Sequence, residues 1–260
     1  MITDDVAPLR HDVEPWFMSG FDFRCVWETL GLDHLPFPLA YRNRQKYMSE
    51  VEADRAAALA RQRAELTRDR VRILEALRFP AFVMVGFGRL GYGADERLYR
   101  LFGVIGTNGY GAVITQDPSR QTIFGEDIQI IGCVNVDFPQ VVLEALPDYK
   151  PGTRPRRDAS LDEETPADFF RDSKITGSIL LGGSADFTLD YELRNASYLT
   201  LVNVDDDGAY VVNEGTHTFQ IIPATIRNLL DAFKKVEERQ LQTAERLSAA
   251  ASGPDFDGIP

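Results

Sequence analysis

Residues 198–233 constrain the fold more than any other stretch of the chain. They begin with two β-rich runs joined at Asp207-Gly208, a dipeptide typical of hairpins because both turn positions must tolerate positive φ. A third run, residues 219–222, then meets Pro223, which lacks the N–H that a strand needs but suits the first turn of a helix. Apolar residues follow at helical spacing: Ile226, Leu229, Leu230 and Phe233. The stretch therefore predicts a hairpin, a strand and an amphipathic helix.

A similar order of elements occurs earlier in the chain. Two β-rich runs, residues 109–114 and 121–124, precede an apolar run over residues 128–136 and then Pro139. When Pro139 is aligned with Pro223, the apolar positions of the two following helices coincide. The repeat is too long for a solenoid. It predicts a pseudo-twofold fold whose two halves share one sheet.

The chain has 260 residues, of which 44% are hydrophobic, and this is enough to bury a full core. We expect one domain flanked by unstructured ends. The predicted segments are a loose N-terminus (1–16), a single domain (17–247) with halves 17–147 and 175–247, an acidic crossover (148–174) with a short helix near residues 166–170, and a disordered tail (248–260).

A long amphipathic helix is predicted from Ser49 onward. Ser49 and Glu52 have the spacing of a capping box, which marks a helix start. Leu59, Leu66 and Ile73 continue an apolar stripe, and a break is predicted near residues 67–69. We interpret this helix, or helix pair, as a cover for one face of the sheet. A homodimer formed through it is the alternative.

Charge and the sparse Cys and His content disfavour several classes of function. A net charge of −12 disfavours nucleic acid and anionic membranes as partners. No apolar run approaches the length of a membrane span, and the first residues lack the features of a signal peptide, so we expect a cytoplasmic protein without membrane insertion. Cys25 and Cys133 lie in apolar surroundings typical of buried side chains. The His residues lack the spacing of zinc ligands, and we predict neither a metal site nor a cofactor.

The segment Gly86-Phe-Gly88-Arg-Leu-Gly91 matches the GxGxxG motif of dinucleotide-binding sites. In such a site the motif opens a helix, whereas here a β-like run follows over residues 101–105. We therefore favour a flexible hairpin loop. A nucleotide-binding protein or enzyme that uses this loop remains the alternative, and whether Gly91 opens a helix distinguishes the two.

Residues 203–214, from Asn203 to Glu214, satisfy the calcium-loop pattern of EF-hands. An EF-hand loop lies between helices, whereas here both flanks are strand-like. Val211 and Val212 also offer no ligating side chains. We favour an acidic hairpin tip over a calcium site. No pattern in the chain indicates a catalytic nucleophile, and we predict that the protein is not an enzyme.

The opening of the chain carries a more specific pattern. It includes Val26-Trp27-Glu28-Thr-Leu30-Gly31-Leu32 and then Leu35-Pro36-Phe-Pro38-Leu39. This resembles the opening signature of the EspG family, the cytosolic chaperones of actinobacterial type VII (ESX) secretion. Later elements are similar to the family's pattern and follow its order: residues 175–179, residues 197–201, the turn from Asp205 to Tyr210, and Pro223 followed by a helix.

The resemblance implies an α/β (α+β) fold with a central, mostly antiparallel sheet, flanking helices, a quasi-twofold and a C-terminal helical region. It also implies a chaperone that binds PE–PPE heterodimers, keeps them soluble and directs them to the secretion machinery. The helix over residues 49–77 is longer and more charged than the family's pattern. This leaves the client open between PE–PPE-like and WxG-type helical proteins.

In the family, the contact surface comes from the loop between the second and third strands and from the C-terminal helical region. These positions correspond to residues 88–97 and 226–247 of this chain. The implied partner contacts are Arg89, Leu90, Tyr92, Arg97, Leu229, Phe233, Val236 and Leu241. Leu90 and Tyr92 are expected as apolar anchors, with arginines beside them, because Tyr and Arg are enriched where binding energy concentrates.

Overall fold

The computed structural model describes residues 14–118 and 124–251. Within them, ten strands form one sheet in which each strand pair is antiparallel, which confirms the predicted fold class. The strands are β1 (Trp16–Met18), β2 (Pro80–Leu90), β3 (Arg97–Gly106), β4 (Tyr110–Pro118), β5 (Gly125–Val134), β6 (Arg157–Ser160), β7 (Ile175–Ser184), β10 (Ser197–Val204), β11 (Gly208–Glu214) and β12 (Thr218–Pro223), and a separate two-stranded sheet holds β8 (Asp186–Phe187) and β9 (Leu193–Arg194). The helices are α1 (Gly20–Thr29), α2 (Met48–Ala64), α3 (Arg68–Arg78), α4 (Phe138–Ala145), α5 (Pro166–Phe169) and α6 (Ile226–Ala251).

The two halves of the chain are related across the middle of the large sheet, whose strand order is β1-β5-β4-β3-β2-β7-β10-β11-β12-β6. β2 and β7 pair at the centre, with Met84 opposite Gly183. Each half then continues as a hairpin and a third strand, β3-β4-β5 in the first and β10-β11-β12 in the second. A helix follows the third strand in both halves, α4 at Pro139 and α6 after Pro223. The predicted pseudo-twofold is therefore confirmed.

The strand assignment within the first repeat differs from the prediction. The hairpin that corresponds to β10–β11 is β3–β4, which turns at Asn108-Gly109 with Gly109 at φ +85°. Residues 109–114 and 128–136 fall mainly on β4 and β5, which are neighbours, and β4 continues to Pro118. The predicted run over residues 121–124 lies almost entirely outside the described residues.

The β10–β11 turn takes three residues, 205–207, instead of the two expected at Asp207-Gly208. Val204 lies opposite Gly208, and Asp206 takes a positive φ of 59°, which aspartate tolerates better than most residues. Gly208 itself has φ +134°, and a Cβ there would lie 2.6 Å from the carbonyl oxygen of Lys150. Glycine therefore lets the crossover approach the start of β11.

Apolar cores lie on both faces of the sheet. On one face, α4 and α6 bury Phe138 and Phe233 in a cluster that also holds Phe82 of β2. On the other face, α1 and α3 cover the first half, and Trp27 meets Phe102 of β3 edge to face. The second half of that face is covered by the crossover, where the ring centroids of Phe170 and Tyr210 lie 5.8 Å apart.

The long helix predicted from Ser49 is two helices, α2 and α3. α2 begins at Met48, one residue earlier than predicted. Tyr47 is the N-cap, and its backbone N–H donates a hydrogen bond to the Glu50 carboxylate (3.2 Å). The break is confirmed, since Thr67 Oγ1 accepts a hydrogen bond from the N–H of Arg70 (3.2 Å) and caps α3.

A buried polar network fixes α2 against α1 and β1. Trp16 Nε1 donates to Gln62 Oε1 (3.1 Å), and Gln62 Nε2 donates to Asp22 Oδ2 (3.0 Å). Arg61 donates to the same carboxylate at 2.8 Å. The buried side of α2 therefore packs within the chain, and a homodimer formed through its outer side remains a prediction.

The crossover contains a strand that the sequence did not reveal. β6 pairs with β12 at the sheet edge, with Ala159 opposite Phe219, and α5 follows at the predicted position. Tyr210 connects the crossover to the sheet, because its hydroxyl accepts a hydrogen bond from the N–H of Arg154 (2.9 Å) and donates to Asp207 (2.7 Å). The crossover is therefore part of the folded structure.

The last helix runs farther than expected. α6 continues through Ala251, past the predicted domain end at residue 247, and residues 252–260 lie outside the described residues. Across the described parts of the chain, no helix combines the length and the hydrophobicity needed to cross a membrane.

Candidate partner-binding site

The predicted recognition loop, residues 88–97, is shorter than expected because β2 extends through Leu90 and β3 begins at Arg97. The connection is a turn over residues 91–96. We call residues 90–97 the hairpin tip. Gly91 takes φ +76° and donates its N–H to the carbonyl oxygen of Thr176 (2.8 Å), which joins the tip to the start of β7.

The same turn overturns the dinucleotide-binding interpretation of the GxGxxG motif. Gly91 opens no α-helix, since only a single 3₁₀ turn, Gly93–Asp95, precedes β3. The motif's middle glycine, Gly88, has a packing role, because a Cβ there would lie 2.0 Å from the backbone oxygen of Ser178 on β7. The glycines thus permit close strand packing and a tight turn, and they form no phosphate-binding helix start.

Tyr92 is the most prominent side chain of the tip. It is 57% exposed, and the Lys174 ammonium lies 3.9 Å from its ring centroid and 2.6 Å from its hydroxyl oxygen. Lys174 also forms an ion pair with Asp205 (2.8 Å) in the β10–β11 turn. Its hydrogen bond with Asp205, and to a smaller extent the one with Tyr92, raises the pKa of Lys174. The lysine is therefore charged at neutral pH. The two turns are thereby joined through one cation.

The two arginines of the predicted site lie on opposite faces of the hairpin, because successive strand residues alternate in direction. Arg89 is exposed and forms an ion pair with Glu96 (3.1 Å). Leu90 and Arg97 form a register pair and share the face that carries α4 and α6. Leu90 is half-buried and packs against the core, so it connects the hairpin tip to the sheet.

A cavity of about 250 Å³ lies beneath the tip on the face that Leu90 and Arg97 share. We call it the tip cavity. Its floor consists of buried apolar residues of β7, β10 and β11, and polar groups stand at its mouth. The lining residues are Leu90, Gly91, Arg97, Pro147, Asp148, Tyr149, Thr176, Gly177, Ile179, Leu201, Asn203 and Ala209.

The α6 residues of the predicted site are placed differently from the tip residues. Leu229 and Phe233 are each 1% exposed and Val236 is 5% exposed, and all three pack in the core. The prediction of these three as partner contacts is therefore corrected, since their helical stripe faces the sheet. Leu241 is half-buried, beyond the residues of α6 that lie in this core.

Leu241 also lies at the other end of the sheet from the hairpin tip. Because neighbouring strands run antiparallel, β12 ends and α6 begins at the end of the sheet that carries the hairpin tip. From there α6 crosses the sheet to the other end. At the other end, Gln240 Nε2 donates to the carbonyl oxygen of Asn195 (2.9 Å) and to Ser197 Oγ (2.8 Å). Asn195 lies just before β10, and Ser197 is the first residue of β10. The structure therefore brings together Leu90, Tyr92 and Arg97, and it separates Leu241 from them.

The acidic turn that matched a calcium loop has other partners. Asp205 binds Lys174, whereas Asp207 accepts hydrogen bonds from the N–H and Oγ1 of Thr153 (2.8 and 2.7 Å). The strands β10 and β11 flank this turn, in place of the helices of an EF-hand. Among the described residues, no group of three His, Cys, Asp or Glu side chains is arranged to hold a metal ion.

Both cysteines are free and buried. Burial raises the pKa of Cys25 to about 11 and that of Cys133 to about 12. Neither thiol is therefore activated as a nucleophile, because the thiolate is the reactive form.

Sequence reasoning missed the residues that hold the tip in place. Lys174 is the last residue of the crossover and Asp205 lies in the β10–β11 turn, 31 residues farther along the chain. Gly177, Leu201 and Tyr149 of the tip cavity also lie far from the tip in sequence. The Lys174–Tyr92 contact spans 82 residues, and no local spacing marks it.

Comparisons with known proteins agree with this architecture. The model of the EspG family matches residues 21–252. A chain in the structure of the Mycobacterium tuberculosis type VII secretion system chaperone EspG5 in complex with the PE25–PPE41 dimer is similar, with a TM-score of 0.56 and 12% identity over 86% of this chain and 96% of that one. At this identity the structural likeness concerns the fold. Comparison with curated protein sequences finds no significant match.

Proposed function

The chain belongs to the EspG family, and from this premise we propose that it is a chaperone of type VII secretion substrates. It binds a helical substrate, a PE–PPE-like heterodimer, in the cytosol, keeps it soluble and directs it to the secretion machinery without catalysis. The similar EspG5 chain comes from a complex with a PE25–PPE41 dimer, which supports this class of partner. WxG-type helical proteins are the second group of candidate clients.

The observation that carries this proposal is the exposed and anchored hairpin tip. Tyr92 presents a largely exposed ring at one end of the sheet, and Lys174 restrains it before any partner arrives. A restrained aromatic side chain loses less conformational entropy on binding, and Tyr and Arg are enriched among residues that dominate binding energy. Arg97, which is also exposed, belongs to the same hairpin tip. Together they form a small, rigid recognition element.

The base of the tip supports this role. β2 is the strand of the first half that lies at the centre of the sheet, and it is paired along its length with β3 and β7. Gly91 and the Lys174–Asp205 pair add contacts to the second half. A loop held by a rigid scaffold is a common site for binding residues. We therefore place the partner contact at Tyr92 and Arg97, with Arg89 at its edge.

The direct test is co-expression of the tagged chain with PE–PPE-like and WxG-type proteins encoded near it, followed by size-exclusion chromatography. The proposal predicts a co-eluting complex with one helical client. Tyr92→Asp should abolish the complex, because it removes the exposed aromatic ring and puts a hydrated carboxylate where the client would bury that ring.

Tyr47→Asp is the matched control, since Tyr47 is 58% exposed and also lies beside a lysine, Lys46, away from the tip. This variant should retain the complex. Elution of the wild-type chain alone with each candidate would contradict the proposed function. Equal binding by the Tyr92 variant would contradict the proposed surface.

A further inference from the structure

The tip cavity has a floor suited to an apolar group. Ile179, Leu201 and Ala209 are 2%, 5% and 0% exposed, and they meet Leu90 and the ring of Tyr149 at the walls. An apolar cavity of about 150 Å³ binds benzene when its lining is aliphatic and aromatic. A volume of about 250 Å³ therefore leaves room for one aromatic ring.

Gly177 keeps the cavity open. It lies on β7 opposite Leu90 of β2 and Asn203 of β10, and its φ is outside the left-handed region, so the backbone does not require glycine. A Cβ at this position would lie 3.3 Å from Leu90 Cδ2 and 3.5 Å from the carbonyl oxygen of Arg89. A larger side chain there would occupy the space above the floor.

The mouth of the cavity favours an aromatic group over an aliphatic one. Arg97 lines it and forms no ion pair with any other described residue, so its guanidinium is available to lie over a ring. A cation over an aromatic face contributes about 0.5–1 kcal/mol at an exposed site. Tyr149, on the wall, can meet the same ring edge to face.

We propose that the tip cavity receives one aromatic side chain from the helical partner, and that Gly177 is the residue that sets this specificity. The proposal rests on the proposed function. It follows from the continuity of the cavity with the hairpin tip, since Leu90 and Arg97 belong to both. A partner that covers Tyr92 also covers the mouth of the cavity, and an empty apolar space there would leave the contact poorly packed.

The test compares two substitutions on adjacent residues of β7 in the co-purified complex. Gly177→Val fills the cavity, whereas Ser178→Val adds a similar group on the opposite, exposed face of the strand. We expect Gly177→Val to raise Kd at least tenfold by isothermal titration calorimetry, and Ser178→Val to leave Kd within about threefold. If the valine variant at position 177 does not fold, Gly177→Ala is the second variant.

A double-mutant cycle then identifies the occupant. Replacing the partner's aromatic residue with alanine should weaken binding to the wild-type chain but add little to the Gly177→Val defect, because both changes remove one contact. Unchanged binding by Gly177→Val, together with weakened binding by Tyr92→Ala, would overturn the cavity proposal and leave the proposed function standing. Absence of any wild-type complex would overturn both.

Discussion

The ammonium nitrogen of Lys174 lies 3.9 Å from the centre of the Tyr92 ring. Lys174 immediately precedes β7, in the second half of the fold, and Tyr92 belongs to the β2–β3 turn of the first half. Asp205 holds the same ammonium from the β10–β11 turn at 2.8 Å. The two related halves are therefore connected at one end of the sheet through a single lysine, and the aromatic residue of the candidate site depends on it.

Lys174→Met tests whether this connection prepares the site for binding. The methionine keeps much of the apolar stem but removes the cation, so Tyr92 loses both the ring contact and the hydrogen bond. We expect client binding to weaken by about three- to tenfold, because the ring must then be ordered during association. Titration calorimetry measures the change. The melting temperature should stay unchanged, since Lys174 is exposed, and unchanged affinity would argue against a role in positioning Tyr92.

Residues 185–196 connect β7 and β10 and are the counterpart, in the second half, of the β2–β3 turn. The tyrosine of this connection is buried, whereas Tyr92 is exposed. This tyrosine, Tyr191, is 5% exposed, packs against Trp27 and Phe102, and donates a hydrogen bond to the carbonyl oxygen of Leu77 in α3 (2.7 Å). One connection thus anchors a helix, whereas its counterpart presents Tyr92 to solvent. The pseudo-twofold therefore yields one structural loop and one candidate binding loop.

Tyr191→Phe should destabilise the protein by about 1–2 kcal/mol, because it leaves a buried carbonyl oxygen without its donor. The free energy of unfolding in urea measures this loss. Tyr198→Phe is the control, since Tyr198 is 49% exposed, and its value should match that of the wild-type chain. Equal stability of the two variants would show that the Leu77 contact contributes little.

The sequence predicted the repeated architecture because its signals are local. Pro139 and Pro223 each mark a change from strand to helix, and both helices begin where predicted to within a few residues. β6 carried no such signal, because its sequence Arg-Asp-Ala-Ser has no alternation of apolar and polar residues. This strand forms through its pairing with β12. Tertiary pairing decided its structure.

The candidate site was less predictable for a related reason. Helical spacing identified the apolar stripe of Leu229 and Phe233 correctly, but spacing cannot say whether a stripe packs on the chain's own sheet or on a partner. Here it packs on the sheet. Tyr92 became a candidate because the family resemblance pointed to the loop between the second and third strands, whereas Lys174 contributes through a contact that spans 82 residues.

The buried carboxylate of Asp22 makes stability depend on pH. Burial alone would raise the pKa of Asp22, but hydrogen bonds from Arg61, Gln62 and Ser19 outweigh it and the pKa is lowered. A lowered pKa in the folded state means that the carboxylate contributes stability above its unfolded pKa of about 3.9, and that this contribution is lost as pH falls through the folded value.

Asp22→Asn should therefore be less stable than the wild-type chain at pH 7, and the difference should shrink at pH 3. Urea midpoints at the two pH values measure it. Asp33→Asn, at an exposed position, is the control and should follow the wild-type chain at both. A destabilisation by Asp22→Asn that is the same at pH 7 and pH 3 would refute the electrostatic explanation.

The two cysteines should be unreactive in the native protein. Their pKa values are raised to about 11 and about 12 by burial, so both are protonated thiols at pH 8. Iodoacetamide should label neither Cys25 nor Cys133 in the time that labels both fully in denaturant, as measured by intact-mass spectrometry. Rapid labelling of one thiol in the native chain would contradict its burial.

Hydrogen–deuterium exchange of the chain, alone and with its co-purified client, shows which surface the client covers. Binding at the hairpin tip should slow exchange in residues 90–97 and in residues 174–177 beside them. Residues 185–196 and the part of α6 around Leu241, at the opposite end of the sheet, should exchange as they do without client. Slower exchange at that opposite end, with the hairpin tip unchanged, would contradict the assignment of the tip as the binding surface.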